Sequence, residues 1–204
     1  MSYFLTWENA AWIYSVIVGL ALARYFMFIA SLLQEPKAIK FYYPYLVFTL
    51  ANILNLYWSW YIGKTFYTQI EGHTLGFSLR TFMDAIGCIG ALMIVPPDKL
   101  LEGFFDMKTW FMNIKRVFCL IMALYTLALI MLIVLFYVKS TTVEGQHVRI
   151  SRAIGYLVSM LLYVGSAFSK NDYYLSFHGT LMVVMYSYGL LSQLSGPSDL
   201  GNLR

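Results

Sequence analysis

The chain has 204 residues, of which 60% are hydrophobic and 12% are charged, and its formal net charge is +4. Roughly a quarter of the residues in a soluble domain are charged, so this composition excludes a soluble globular protein and indicates an integral membrane protein. The positive charge does not by itself indicate nucleic-acid binding, because membrane proteins use basic loop residues to set their orientation.

Apolar runs of about 20 residues, the length that crosses a hydrocarbon core of about 30 Å, recur along the chain. They predict an all-α fold: an integral membrane bundle of about six transmembrane helices, with one interfacial amphipathic helix. The whole chain, 1–204, is predicted to be a single transmembrane domain. The predicted spans are 11–33, 42–63, 77–95, 117–138, 151–168 and 173–194, and the amphipathic helix is 98–115.

The first predicted span contains an arginine, Arg24. An arginine at a helix centre costs about 2.5–3.5 kcal/mol on insertion scales, so we expect it to point into a helix junction shared with Asp84 or Asn52. Small residues repeat every four positions on the same helix. Such a face lets helix backbones approach closely, and it predicts a tight bundle or a homo-oligomer, for which we assume a tetramer. These small residues are Ser15, Gly19 and Ala23.

The second predicted span carries four polar residues within about a third of the helix circumference, at about 100° per residue. Polar groups in hydrocarbon need partners, and two interpretations stay open. The residues either form helix-to-helix hydrogen bonds, worth about 0.6–2 kcal/mol each, or line an aqueous pore. They are Thr49, Asn52, Asn55 and Ser59.

The third predicted span places Arg80 one helical turn before Asp84, a spacing at which side chains meet. We predict a cluster of Arg24, Asp84 and Arg80. Its role is either an ion pair that fixes how the first and third helices dock, or a charged ring at a pore, which would favour anions.

Pro96 and Pro97 are predicted to end the third span, and Asp98 to cap the amphipathic helix that follows. The fourth span is almost wholly apolar and is predicted to face lipid. The flank of the amphipathic helix is basic, which indicates either contact with lipid phosphates or a cytosolic site for an anionic ligand or partner. The basic residues are Lys108, Lys115 and Arg116.

The basic residues of the loops predict the orientation. Loops 34–41, 96–116 and 169–172 hold seven lysines and arginines, against four to six on the opposite side. Because cytoplasmic loops carry the excess of basic residues, these three loops are predicted to be cytoplasmic and both termini external.

His178 is the only histidine in a predicted span, and it is predicted to be a hydrogen-bonded interior residue rather than a ligand or proton relay. The sequence shows no nucleophile constellation, paired carboxylates, phosphate loop or metal-ligand spacing. We therefore predict that the chain is not an enzyme and has neither cofactor nor metal.

The stretch YSVIVGLALAR (14–24) resembles the opening helix of a family of small polytopic bacterial membrane proteins, and PPDKLLEGFFDMKTWFMNIKR (96–116) extends the resemblance. In size and plan the chain also resembles the membrane subunit of the Hailong anti-phage defence system. That resemblance implies an oligomeric channel, controlled by a nucleotide or oligonucleotide signal from a partner enzyme. It also implies that Lys108, Lys115 and Arg116 meet the anionic ligand and that the Thr49–Ser59 stripe conducts.

These observations lead to three functional hypotheses. The first is an oligomeric ion channel or pore-forming protein of the bacterial inner membrane, acting as an anti-phage effector gated from the cytoplasm. The second is a small-solute or proton-coupled transporter that uses Asp84 and His178. The third is a non-conducting scaffold subunit. The predicted partners are the lipid bilayer, further copies of the chain, and a nucleotide-synthesising protein or its oligonucleotide product.

Overall fold

The structure, a computed structural model, describes residues 7–34, 39–69, 74–97, 104–134 and 143–194. Within these ranges the chain forms six helices and one pair of two-residue strands, so the all-α prediction is confirmed apart from this short sheet. The elements are α1 (Trp7–Gln34), β1 (Ile39–Lys40), α2 (Tyr43–Gln69), α3 (Thr74–Met93), β2 (Phe105–Asp106), α4 (Met107–Leu132), α5 (Val143–Phe168) and α6 (Asp172–Leu194).

Three of the described helices are long and apolar enough to cross a membrane, over Ala11–Gln34, Leu75–Met93 and Met107–Leu132. They indicate a multi-pass membrane protein. The helices α2, α5 and α6 coincide in position with the other predicted spans, and α5 includes the shorter apolar segment Ala153–Phe168. That all six helices cross the membrane stays a prediction for these three.

The prediction of an amphipathic helix at 98–115, separate from a fourth span at 117–138, is wrong. Residues 98–103, including the proposed cap Asp98, lie outside the described ranges, and α4 begins at Met107 and continues without a break to Leu132. Its N-cap is Asp106, whose carboxylate accepts hydrogen bonds from the backbone N–H groups of Lys108 and Thr109, at 2.9 and 3.2 Å. Neither glycine nor proline occurs between 107 and 132, so nothing in the sequence interrupts the helix.

The lipid-facing position predicted for the fourth span is also wrong for one side of α4. Phe111, Phe118 and Met122 are fully buried, because α4 packs against both α3 and α5. The rings of Phe111 and Phe118 contact Phe48 of α2, with centroids 5.2 and 6.0 Å from it. One face of α4 therefore belongs to the core of the bundle.

Glycines permit two of the closest helix contacts. A Cβ atom at Gly179 of α6 would lie 2.4 Å from Cγ2 of Val47 in α2, and one at Gly87 of α3 would lie 2.9 Å from the ring of Tyr125 in α4. Both distances are too short for a side chain. These two glycines let α6 approach α2 and α3 approach α4.

At one end of the bundle α1, α3 and α5 finish and α2, α4 and α6 begin; we call it the loop end. Here β1 and β2 pair in parallel, with Ile39 opposite Phe105 and Lys40 opposite Asp106. The ammonium group of Lys40 contacts the carboxylate of Asp106 at 3.1 Å. The short sheet thus joins the chain before α2 to the chain before α4.

Candidate functional site

The middle of α3 contains a buried ion pair. Arg80 and Asp84 are only 2% and 3% exposed. The Nη2 atom of Arg80 lies 2.7 Å from Oδ1 of Asp84, and its Nε atom donates to Oδ2 at 2.9 Å. The pair thus combines one charge-assisted hydrogen bond, from Nε to Oδ2, with a second close contact between opposite charges. The predicted pairing of these two residues is confirmed.

Polar side chains from several helices surround this pair. Arg80 borders a cavity of about 10 Å³, roughly the space that one water molecule needs. Ser59 of α2 and Tyr125 of α4 share a hydrogen bond of 3.3 Å at its wall. The lining also includes Asn55 and Thr126, both buried. We call Asn55, Ser59, Arg80, Asp84, Tyr125 and Thr126, with this cavity, the polar centre.

The polar stripe of α2 faces the inside of its own bundle, since all four of its residues are buried. Two of them bond to the backbone of their own helix: Thr49 donates to the carbonyl of Tyr45 at 2.8 Å, and Asn52 Nδ2 to that of Phe48 at 2.7 Å. Within the described part of the chain, Oδ1 of Asn52 has no hydrogen-bond partner. A pore between subunits lined by this stripe would need it on the outer surface.

An apolar groove of about 170 Å³ lies beside the polar centre, between α2, α5 and α6. Its wall includes Trp58, Tyr156 and Tyr186, and the same three side chains line the cavity of the polar centre. These three side chains therefore border both spaces. The rest of the groove, which we call the α5–α6 groove, is formed by Gly155, Ser159, Met182 and Met185.

Arg24 is not part of the polar centre, so the predicted cluster of three residues is wrong in this respect. Its guanidinium donates to the carbonyl of Pro96 at 2.9 Å, beyond the end of α3. The next residue, Tyr25, donates to the carbonyl of Ala91. Asp84 lies seven residues before Ala91, which is about 10 Å along the helix at about 1.5 Å per residue. Arg24 points away from it, toward the loop end.

His178 of α6 is fully buried, and its Nδ1 atom lies 2.7 Å from the hydroxyl of Ser166 in α5. The rings of Phe48 and Tyr163 meet it edge-on, at centroid distances of 5.0 and 4.8 Å. The prediction of a hydrogen-bonded interior histidine is confirmed. His178 does not line the cavity at Arg80, although its Nε2 atom has no hydrogen-bond partner among the described residues.

The three cations predicted to meet an anionic ligand lie at the loop end, and two of them have specific polar partners. Lys108 pairs with Asp172 at 2.7 Å. Lys115 is buried and donates to the carbonyls of Ser166 at 3.2 Å, Ala167 at 3.5 Å and Ser169. It thus places a positive charge on the C-terminal end of α5, where the helix dipole favours one.

The third cation, Arg116, is exposed, with its guanidinium carbon 5.2 Å from the ring centroid of Phe168.

Contacts at the loop end also lower the pKa of a carboxyl group, that of Asp172. Asp172 accepts hydrogen bonds from Lys108 at 2.7 Å and from the hydroxyl of Tyr42 at 2.8 Å. These two contacts stabilise its ionised form and hold the pKa of Asp172 below its usual value.

A comparison with known protein families, curated proteins and solved structures finds no match. No family is identified, and the resemblances of 14–24 and 96–116 stay predictions. Among the residues that the structure describes, no three His, Cys, Asp or Glu side chains come together as a metal site.

Sequence reasoning missed Tyr125 and the aromatic wall of the polar centre. Tyr125 lies in a nearly uninterrupted apolar run, and only Thr126 beside it hints at a polar contact. The two neighbouring hydroxyl side chains in this apolar run are the one signal that could have predicted a polar contact here, because a buried tyrosine hydroxyl usually finds a hydrogen-bond partner. Trp58, Tyr156 and Tyr186 carry no comparable signal, since aromatic residues are frequent throughout the chain.

Proposed function

We propose that this chain is a membrane transport protein that moves protons through the interior of its own helix bundle and also carries a small solute. Asp84 carries the proton and Arg80 is its counter-charge. The observation that supports the proposal is the Arg80–Asp84 pair, buried halfway along a membrane-length helix, with Arg80 lining a water-sized cavity. Ionisable residues inside membranes are costly and commonly mark proton or solute pathways.

The Arg80–Asp84 pair has two states, with Asp84 ionised or protonated, and they differ in how the charge of Arg80 is compensated. While Asp84 is ionised, each charge compensates the other. When Asp84 binds a proton, Arg80 becomes a buried charge without its counter-ion, which is unfavourable by several kcal/mol. The hydroxyls of Ser59 and Tyr125, which meet at the wall of the same cavity, can then take part in its solvation. Protonation therefore favours a different arrangement of α2, α3 and α4, which is the two-state behaviour that transport requires.

Proton entry into vesicles tests this proposal. The purified chain is reconstituted in liposomes that contain a pH-sensitive dye, the membrane potential is clamped with potassium and valinomycin, and the outside is acidified. We expect faster acidification than in empty liposomes, and a return to the empty-liposome rate for Asp84→Asn. The control is Asp106→Asn, which removes a carboxylate at the loop end while asparagine still caps α4. Equal rates for Asp84→Asn and the unaltered chain would contradict the proposal.

An oligomeric ion channel is the second candidate. It is favoured by the outer face of α1, where Ser15, Gly19 and Ala23 are exposed and a Cβ atom at Gly19 would meet nothing within 4 Å. Copies of the chain could pack closely along this face and conduct at their common axis. Native mass spectrometry that finds a single copy, together with planar bilayers that pass no current, would exclude it.

The proposed role in anti-phage defence at the bacterial inner membrane belongs to this second candidate. A nucleotide or oligonucleotide from a partner enzyme would bind at the loop end, which we place in the cytoplasm. Lys108 and Arg116 are exposed there, whereas Lys115 already binds the end of α5. An anionic ligand would have to compete with Asp172 for Lys108. Ligand-dependent current that is lost in Lys108→Ala with Arg116→Ala would support this role.

A further inference from the structure

We propose that the α5–α6 groove binds the transported solute, and that this solute is a small neutral alcohol or phenol that enters from the bilayer. Its ring or short alkyl body occupies the groove, and its hydroxyl points toward the polar centre. This inference rests on the proposed transport function and adds the chemical class of the solute to it.

The size and lining of the groove fit an apolar body. Its volume is about 170 Å³, and an apolar cavity of about 150 Å³ is known to bind benzene. Trp58 supplies an aromatic face, and Met182 and Met185 supply flexible thioethers that adapt to ligands of different shape. A ring, or a chain of comparable volume, can fill this space.

The outer rim of the groove lies on an exposed apolar surface of α5 and α6, which faces lipid if these two helices cross the membrane as the sequence predicts. Met185 is 37% exposed, and its neighbours along α6, Val184 and Tyr188, are exposed as well. On the other side of the rim, Ile154 and Val158 of α5 are exposed apolar side chains. A molecule already dissolved in the hydrocarbon can reach the groove without passing through water, which favours an amphiphile over a strongly hydrated solute.

The polar centre determines the head group. The side chains of Trp58, Tyr156 and Tyr186 line both the groove and the cavity at Arg80, so the two spaces are neighbours. That cavity has room for about one water molecule, so it suits a hydroxyl and is too small for a phosphate. Arg80 and Asp84 already neutralise each other, and a charged head group would add an uncompensated charge to a buried site. A neutral hydroxyl adds none.

Gly155 provides a direct way to fill the groove. It lies in the groove wall, and a Cβ atom at this position would meet nothing within 4 Å. A leucine there extends into the groove without a clash at the helix backbone. Gly19 of α1 is the matched control, because it is also a glycine inside a helix with nothing within 4 Å of its Cβ position, and it does not line the groove.

The experiment measures fluorescence quenching by 4-bromobenzyl alcohol in lipid nanodiscs that contain the full chain. Bromine quenches tryptophan on contact, and the quenching due to Trp58 is the difference between the unaltered chain and Trp58→Phe. We expect this difference to saturate with probe concentration. Gly155→Leu should weaken the apparent affinity at least tenfold, and Gly19→Leu should leave it within twofold. Quenching by 4-bromotoluene, which lacks the hydroxyl, should be at least tenfold weaker at equal concentration in the membrane.

Four results would overturn the inference, three with the soluble probes and one with lipids. The first is quenching that never saturates, the second is equal affinity for Gly155→Leu and Gly19→Leu, and the third is equal binding of bromotoluene. If lipids with brominated acyl chains quench Trp58 and the alcohol does not displace them, the occupant is a lipid chain and the inference fails. Binding is measured without a proton gradient, so the two proposals can fail separately. If the alcohol does not bind but protons still enter, only the proposed solute class is overturned. If the alcohol binds but protons do not enter, only the proposed transport function is overturned.

Discussion

Removing one partner of the Arg80–Asp84 pair should destabilise the protein far more than removing both. Asp84→Leu leaves Arg80 as a buried charge without its carboxylate, which costs about 3–5 kcal/mol. The double variant Arg80→Met with Asp84→Leu replaces the pair by apolar side chains inside a membrane-length helix, and buried pairs replaced in this way are often neutral or stabilising. We therefore expect the double variant to be at least as stable as the unaltered chain.

The measurement is the thermal midpoint in detergent, followed by intrinsic fluorescence. In chains of this length, the thermal midpoint falls by roughly 2–4 °C for each kcal/mol of stability lost. The expected cost of Asp84→Leu therefore lowers the midpoint by roughly 6–20 °C. The control is the pair of Lys108 and Asp172, whose side chains are 47% and 43% exposed. Exposed pairs contribute only about 0–1 kcal/mol. The reasoning is refuted if Asp84→Leu costs no more than Asp172→Leu, or if the double variant shows the sum of two large costs.

The other predictions concern packing and the loop end. Lys115→Met should lower the free energy of unfolding by about 1.5–3 kcal/mol, since it removes a charged donor from the end of α5. Thermal midpoints measure this loss, and a shift below 1 °C would refute the interpretation. Gly179→Ala should destabilise by about 1–3 kcal/mol, because its Cβ would lie 2.4 Å from Val47 Cγ2; Gly155→Ala, where the space is open, should show no such loss. Lys108 lowers the pKa of Asp172 in the folded state. The ionised carboxylate therefore contributes its full stabilisation above the ordinary aspartate pKa of about 3.9. This stabilisation is lost as the pH falls through the lower pKa of the folded state. Midpoints recorded from pH 7 to pH 2.5 should show this acid loss in the unaltered chain and a smaller one in Asp172→Asn; identical profiles would contradict the assignment.

The sequence was sufficient for the features that depend on local patterns. Runs of apolar residues predicted the helices, and the four-residue spacing of Arg80 and Asp84 predicted their pairing, because both depend only on neighbours along one helix. The burial of His178 followed in the same way from its apolar surroundings.

Features that depend on the relative depth of helices were not predictable. The expected contact of Arg24 with Asp84 requires the two residues to lie at the same depth, whereas Tyr25 lies beside Ala91, near the end of α3. The partner that Arg24 has instead, a backbone carbonyl at Pro96, has no signature in a sequence. Gly155 lies four residues before Ser159, a spacing typical of close helix contacts, and yet it borders a groove, because spacing does not reveal whether a neighbouring helix is close.

The proton entry rate of liposomes containing the double variant, Arg80→Met with Asp84→Leu, tests the central claim most directly. This variant removes the proton carrier and its counter-charge together and is expected to stay folded, so a lost rate cannot be attributed to unfolding. If Asp84 carries the proton, the rate falls to that of empty liposomes although the thermal midpoint is unchanged or higher. A rate equal to that of the unaltered chain would show that the buried pair only holds the helices together.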